Sequence, residues 1–156
     1  MASSIMIRFV SGKGLDSKLI EWYSRCRWSH VEFVSDGCTF GAQLRGGLKW
    51  RTLDDPCYRH ASAFETWTIP VTDDQYIDFI RMIDAAIDAR YDWKAIVSFV
   101  LGPWRWHTKG AWICSSFVAG MLQSLQLLPR VMWAEMYDPR DIYLVVQQIP
   151  SVSKVG

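Results

Sequence analysis

The run "WSHVEFVSDGCTFGAQL", residues 28–44, restricts the fold more than any other stretch of the chain. Residues 28–34 alternate around valine and phenylalanine. Asp36-Gly37 is a strong signal for a two-residue hairpin turn, and residues 38–44 offer the returning strand. Such a turn fixes the register. Ser35 faces Cys38, Val34 faces Thr39, Phe33 faces Phe40, Glu32 faces Gly41, Val31 faces Ala42 and His30 faces Gln43. Opposed residues share a sheet face with Cβ atoms about 4.5–5.5 Å apart. The pattern therefore predicts an imidazole beside an amide. A lone hairpin is marginal in water, so this one needs further strands or a helix to cover it.

The rest of the chain supplies both. "IMIRFV" (Ile5 to Val10), "GLKWRT" and "SAFETWTI" read as strands. "DSKLIEWYSR" reads as a helix capped by Asp16, with Leu19, Ile20 and Tyr23 at helical spacing. The longest helix opens at Thr72, where Gln75 completes a capping box and Asp73 and Asp74 suit the positive helix end. Tyr76, Ile80, Ile83 and Ile87 form its apolar face. A short helix is expected after Tyr91-Asp92, and Ala95 to Trp104 reads as a core helix ended by Gly102-Pro103. "ICSSFVAGMLQSL" is apolar nearly all round and belongs in the middle of the domain. "DPRDIYLVVQQ" reads as a last helix with Asp138 as cap and Pro139 in the first turn; "IYLVV" as a strand is the alternative. Strands lead and helices follow, which is the α+β order. Without a repeat or linker, residues 1–156 read as one domain.

Seventeen basic and 16 acidic residues give a net charge of +1, with no basic run longer than two. Nucleic-acid binding has little electrostatic support. No window of about 18 apolar residues suggests a transmembrane helix. The N-terminus lacks a basic-then-apolar export signal, so the default location is cytoplasmic; delivery by a phage or a secretion apparatus is the other route. The four cysteines are then expected as reduced thiols.

Cys114 opens the buried helix. Only the thiolate is a nucleophile, and a helix N-terminus with a nearby imidazolium can bring a thiol from about 8.5 down to roughly 3.5–7.5. The helix's free N–H groups could also hold an oxyanion. The plain alternative is core filling, since cysteine packs as a small hydrophobe. Ser115 and Ser116 lack a nucleophile-elbow context. Of the three histidines, His60 and His107 lie in loop-like segments and only His30 sits in a regular strand. If His30 is the base, Gln43 opposite it could fix the tautomer. Glu32, two residues on and on the same face, is the competing orienter.

A cysteine at the start of a buried helix, a strand histidine and a polar residue on the next strand resemble the papain-like NlpC-type cysteine hydrolases. Here "WSHVEFV" precedes "WICSSFVAGML", the reverse of that family's usual order. The order is similar to that of the circularly permuted branch, the YiiX-like group, related in fold to lecithin retinol acyltransferase. The segments "YDW" and "DPRDIY" around the cysteine are similar too. The resemblance implies an antiparallel sheet packed on a buried cysteine-bearing helix, with Cys114 as nucleophile, His30 as base and Gln43 near the family's third polar position. It implies a hydrolase forming a thioester acyl-enzyme, of amidase or endopeptidase type, with peptidoglycan stem peptides as one substrate class. Acyl transfer and lipid ester or amide hydrolysis are implied alternatives. No cofactor or metal is required.

Two other readings stand beside it. Cys26-x3-His30 and Cys57-x2-His60, supplemented by Cys38, have plausible zinc spacings. A non-catalytic binding module could use Trp104, Trp106 and Trp112, which cluster before Cys114 and are also the candidate substrate-binding residues. Arg25, Arg27, Arg45 and Arg51 crowd the hairpin, as a solvated face or as a site for an anionic substrate group.

Overall fold

The computed structural model describes residues 3–43, 46–92, 94 and 111–155. Its strands are β1 (Ser3–Gly12), β2 (His30–Ser35), β3 (Cys38–Gln43), β4 (Gly47–Thr52), β5 (Ala61–Val71), β6 (Arg90–Tyr91), β7 (Ala111–Trp112) and β8 (Ser153–Lys154). Its helices are α1 (Leu15–Ser24), α2 (Asp73–Ala86), α3 (Cys114–Ser124) and α4 (Pro139–Val146). The fold is α+β. Six strands form one antiparallel sheet in the order β4-β3-β2-β1-β5-β8, and β6 and β7 form a short parallel pair.

The hairpin takes the register that its turn dictates: Ser35 pairs with Cys38, Val34 with Thr39 and Phe33 with Phe40. Asp36 and Gly37 both have positive φ, 48° and 75°, the backbone that a type I′ turn requires and that Asp-Gly supplies at low cost. Alternation along the strands then sorts side chains by face. Ile5, Ile7 and Phe9 of β1, Val31 and Phe33 of β2, Phe40 of β3 and Ile69 of β5 form the core with Phe79 and Ile83 of α2 and with α3 and α4. Phe33 meets Phe79 and Phe117 edge-on, at centroid distances of 4.9 and 6.0 Å. The other alternation places Arg8 directly opposite Glu32.

Close packing leaves no room for a side chain at Gly41, beside Glu32. A Cβ there would stand 2.8 Å from the Cβ of Glu32. Gly41→Val is expected to cost about 1–3 kcal/mol, as overpacking does, and the shift in the urea midpoint measures it.

The helices follow their sequence signals with three departures. Thr72 and Gln75 form the reciprocal capping box, and Asp138 caps α4 with Pro139 at its first position. The segment "IYLVV" is therefore helical. On α2, Phe79 and Ile83 carry the buried face while Ile87 lies beyond the helix end and is exposed. α1 starts at Leu15 on Gly14, so Asp16 is in the first turn and is not the cap. Leu19 and Tyr23 of α1 are exposed, and Ser24 is its buried residue. The expected helix over Ala95–Trp104 and most of the segment after Asp92 lie outside the described residues.

Candidate active site

α3 begins with Cys114 itself, after Ile113 in extended conformation (φ −98°, ψ 164°). The N–H of Ile113 donates to Ser116 Oγ at 3.1 Å, tying down the helix start. The parallel pairing of Tyr91 with Trp112 delivers the chain to this point. Cys114 is 4% exposed and shares a cleft of about 520 Å³ with His30, Ser29, Gln43, Cys57, Tyr58 and His60.

The thiol and the imidazole meet. Burial by itself would push the Cys114 thiol up. The charge of His30, a hydrogen bond from its ring, and backbone hydrogen bonds from Val31 and Ser115 outweigh burial and bring the thiol below its usual value. Burial would likewise push His30 down. The charge and hydrogen bond of Cys114, then those of Glu32, raise it to about 10. Both shifts favour a thiolate–imidazolium pair at neutral pH.

The imidazole is held by Glu32, not by Gln43. His30 Nε2 lies 3.2 Å from Glu32 Oε2, which leaves Nδ1 as the nitrogen for the thiol. The reason is geometric: residues two apart on a strand share a face, and Glu32 is itself pinned by two other side chains. Arg8 Nε and Nη2 donate to Glu32 Oε1 at 2.9 and 2.6 Å. Tyr58 Oη donates to Glu32 Oε2 at 2.7 Å, and Thr39 Oγ1 lies 2.6 Å from the same phenol oxygen. Glu32 is fully buried, yet its carboxyl is held below the usual carboxylate range. Burial works against this; His30, Arg8 and Tyr58 overcome it. The Arg8 guanidinium in turn lies against the rings of Tyr58 and Phe64, 4.5 and 4.7 Å from their centroids. The phenol of Tyr58 is pushed up by burial and by the Glu32 charge, so it stays a donor.

Gln43 lines the same cleft but turns to Cys57, whose thiol receives its side-chain hydrogen bond. Burial and the Asp55 carboxylate push the Cys57 thiol up, opposite in direction to Cys114. Trp112 is not in this cleft. It packs edge-on against Phe117 at 6.0 Å and lines a separate apolar groove with Met82, Met121 and Trp133. Trp104 and Trp106 lie outside the described residues. Arg51 does not offer its charge to a substrate: it is buried and donates to the carbonyls of Gly41, Lys49 and Gly47. Arg25 and Arg27 are exposed, and Arg45 is outside the described residues. Among the described residues, no three His, Cys, Asp or Glu side chains converge as metal ligands.

Arg8, Tyr58 and Thr39 are the members of the network absent from the sequence reading. A signal for Arg8 existed. "IMIRFV" and "HVEFV" each carry one charge, of opposite sign, inside an apolar strand, and buried charges need partners.

No family model and no curated protein matches this chain. Among solved structures, it is similar to the metalloprotein yiiX from Escherichia coli O157:H7, a domain of unknown function (DUF1105). The TM-score is 0.69 at 14% sequence identity, over 99% of this chain and 97% of the other. At that identity the likeness is one of fold: this chain shares the YiiX architecture along its whole length.

Proposed function

We propose that this protein is a cysteine hydrolase of the permuted papain-like type, acting through a thioester acyl-enzyme on Cys114. The observation that carries the reading is the Cys114–His30 couple at the start of a buried helix, with Glu32 fixing the imidazole. A buried cysteine that merely filled space would have its thiol raised; this one is lowered. The thiolate attacks an acyl carbon. The resulting oxyanion lies by the positive end of α3, where backbone N–H groups stabilise developing charge. The imidazolium gives its proton to the leaving amine or alkoxide as the C–N or C–O bond breaks. The neutral imidazole then takes a proton from water as its oxygen attacks the thioester, and the thiolate returns with the acid product. Glu32 keeps the ring's orientation and stabilises its positive form. Amides of peptidoglycan stem peptides are the leading substrate class, with acyl esters and acyl transfer as alternatives.

The test is intact-mass analysis after incubation with activated acyl esters and a panel of muropeptides. One acyl group per chain is expected on Cys114, none in Cys114→Ala, and release on standing in water. An adduct that forms equally on Cys57, or no adduct with any electrophile, removes the reading.

A further inference from the structure

α1 is amphipathic the wrong way round for a core helix. At 100° per residue, Trp22, Leu15, Leu19 and Tyr23 fall within one arc of about 100°. All four face solvent: they are 74%, 91%, 38% and 38% exposed. The opposite, polar side is the one that holds the body of the protein. Glu21 accepts from Ser11 Oγ at 2.8 Å, Ser17 sits against Gly12, and Ser24 is buried. A surface helix ordinarily turns its apolar stripe inward, and a grouped exposed stripe marks an interaction surface.

Charge selects the partner. Lys13 precedes the helix, Lys18 flanks the stripe, and Arg25 and Arg27 follow it, all four exposed. Lys18 is paired with Glu21, and Asp16 is the acidic group at the other flank. Tryptophan and tyrosine beside leucine, with exposed basic residues just before and just after the helix, one of them (Arg27) lying over the Trp28 ring, are what a helix lying in a lipid interface carries. Asp16, Ser17 and Ile20 of the same helix also form part of the cleft wall, so whatever covers the stripe lies next to the cleft mouth.

We propose that α1 docks the protein onto an anionic lipid bilayer, with Leu15, Leu19, Trp22 and Tyr23 inserted at the interface and Lys13, Arg25 and Arg27 against the headgroups. This inference is independent of the thioester chemistry. It is tested with the Cys114→Ala protein, so that turnover plays no part. The readout is co-sedimentation with vesicles of phosphatidylcholine alone or mixed equally with phosphatidylglycerol. Binding is expected to the mixed vesicles, to weaken in high salt, and to fall by roughly ten-fold or more when Leu15→Ser and Trp22→Ser are combined. Both residues are exposed, so that variant keeps its thermal midpoint and circular dichroism. Failure to bind mixed vesicles overturns the proposal, as does unchanged binding of the double variant. A dimer in solution that the double variant dissociates also overturns it, because a second copy then covers the stripe.

Discussion

Replacing His30 with alanine is expected to slow alkylation of Cys114 by iodoacetamide roughly 100-fold at pH 6.5. In the wild type, against the effect of burial, the charge and hydrogen bond of His30 bring the Cys114 thiol below its ordinary range. Without them, burial is the dominant remaining influence, and burial pushes a thiol up. The inflection of the rate-versus-pH curve therefore moves to higher pH. The same curve carries a second sign. His30 is raised to about 10, so any step needing the imidazolium as acid persists through neutral pH and is lost as pH rises through that value. The stability that His30 gains from its partners has the same direction: it is fully present below about 6.5, the unfolded value, and disappears as pH rises through about 10. Cys57, pushed the other way, stays slow throughout and serves as an internal control. An unchanged profile in His30→Ala would show that the imidazole does not govern the thiol.

The second large effect is on stability. Arg8→Met is expected to cost about 1.5–3 kcal/mol, because the fully buried Glu32 loses two hydrogen bonds from a charged partner and keeps only His30 and Tyr58. Glu32 is held below the usual carboxylate range, so it contributes stability above its unfolded value that is lost as pH falls through its folded value. The gap between wild type and Arg8→Met should accordingly narrow in acid, where protonation removes the charge that Arg8 pairs. Urea titrations at neutral and acid pH measure both the gap and its narrowing. Adding Glu32→Leu to Arg8→Met should recover much of the stability, since apolar replacement of a buried pair is often neutral or better. It should not restore the imidazole's setting, because His30 then lacks its carboxylate. A variant that recovers stability while leaving Cys114 less reactive separates holding the fold from tuning the site.

The hairpin and the α+β order were legible in the residues because each is encoded locally or by one strong contrast, whereas the Cys114–His30 pairing, 84 positions apart, rested on His30 being the one strand histidine and on the resemblance to the permuted hydrolases. Asp36-Gly37 dictates the turn, alternation dictates the face, and an all-round apolar helix must be buried. The orienting residue was harder. Direct opposition across the hairpin favoured Gln43, and same-strand proximity favoured Glu32. What decided between them was a third strand: β1 brings Arg8 opposite Glu32, and the β4–β5 connection drops Tyr58 onto the same carboxylate. Neither contact can be read from residues 28–44. α1 shows the opposite limit. Its helical spacing is real, but periodicity locates an apolar stripe without saying whether protein or solvent lies against it.

One consequence concerns biogenesis. Arg8, His30, Glu32, Thr39 and Tyr58 all precede residue 60, and the sulfur they would activate in the proposed mechanism stands at position 114. A ribosome therefore releases the controlling half before the dangerous atom. Until the start of α3 seats against β2, Cys114 lacks the His30 and Val31 hydrogen bonds that bring its thiol down. On the proposed reading, the thiol and its imidazole become a couple only once the β2 and α3 segments have folded together, so a chain that stops short of α3 carries the base without the nucleophile.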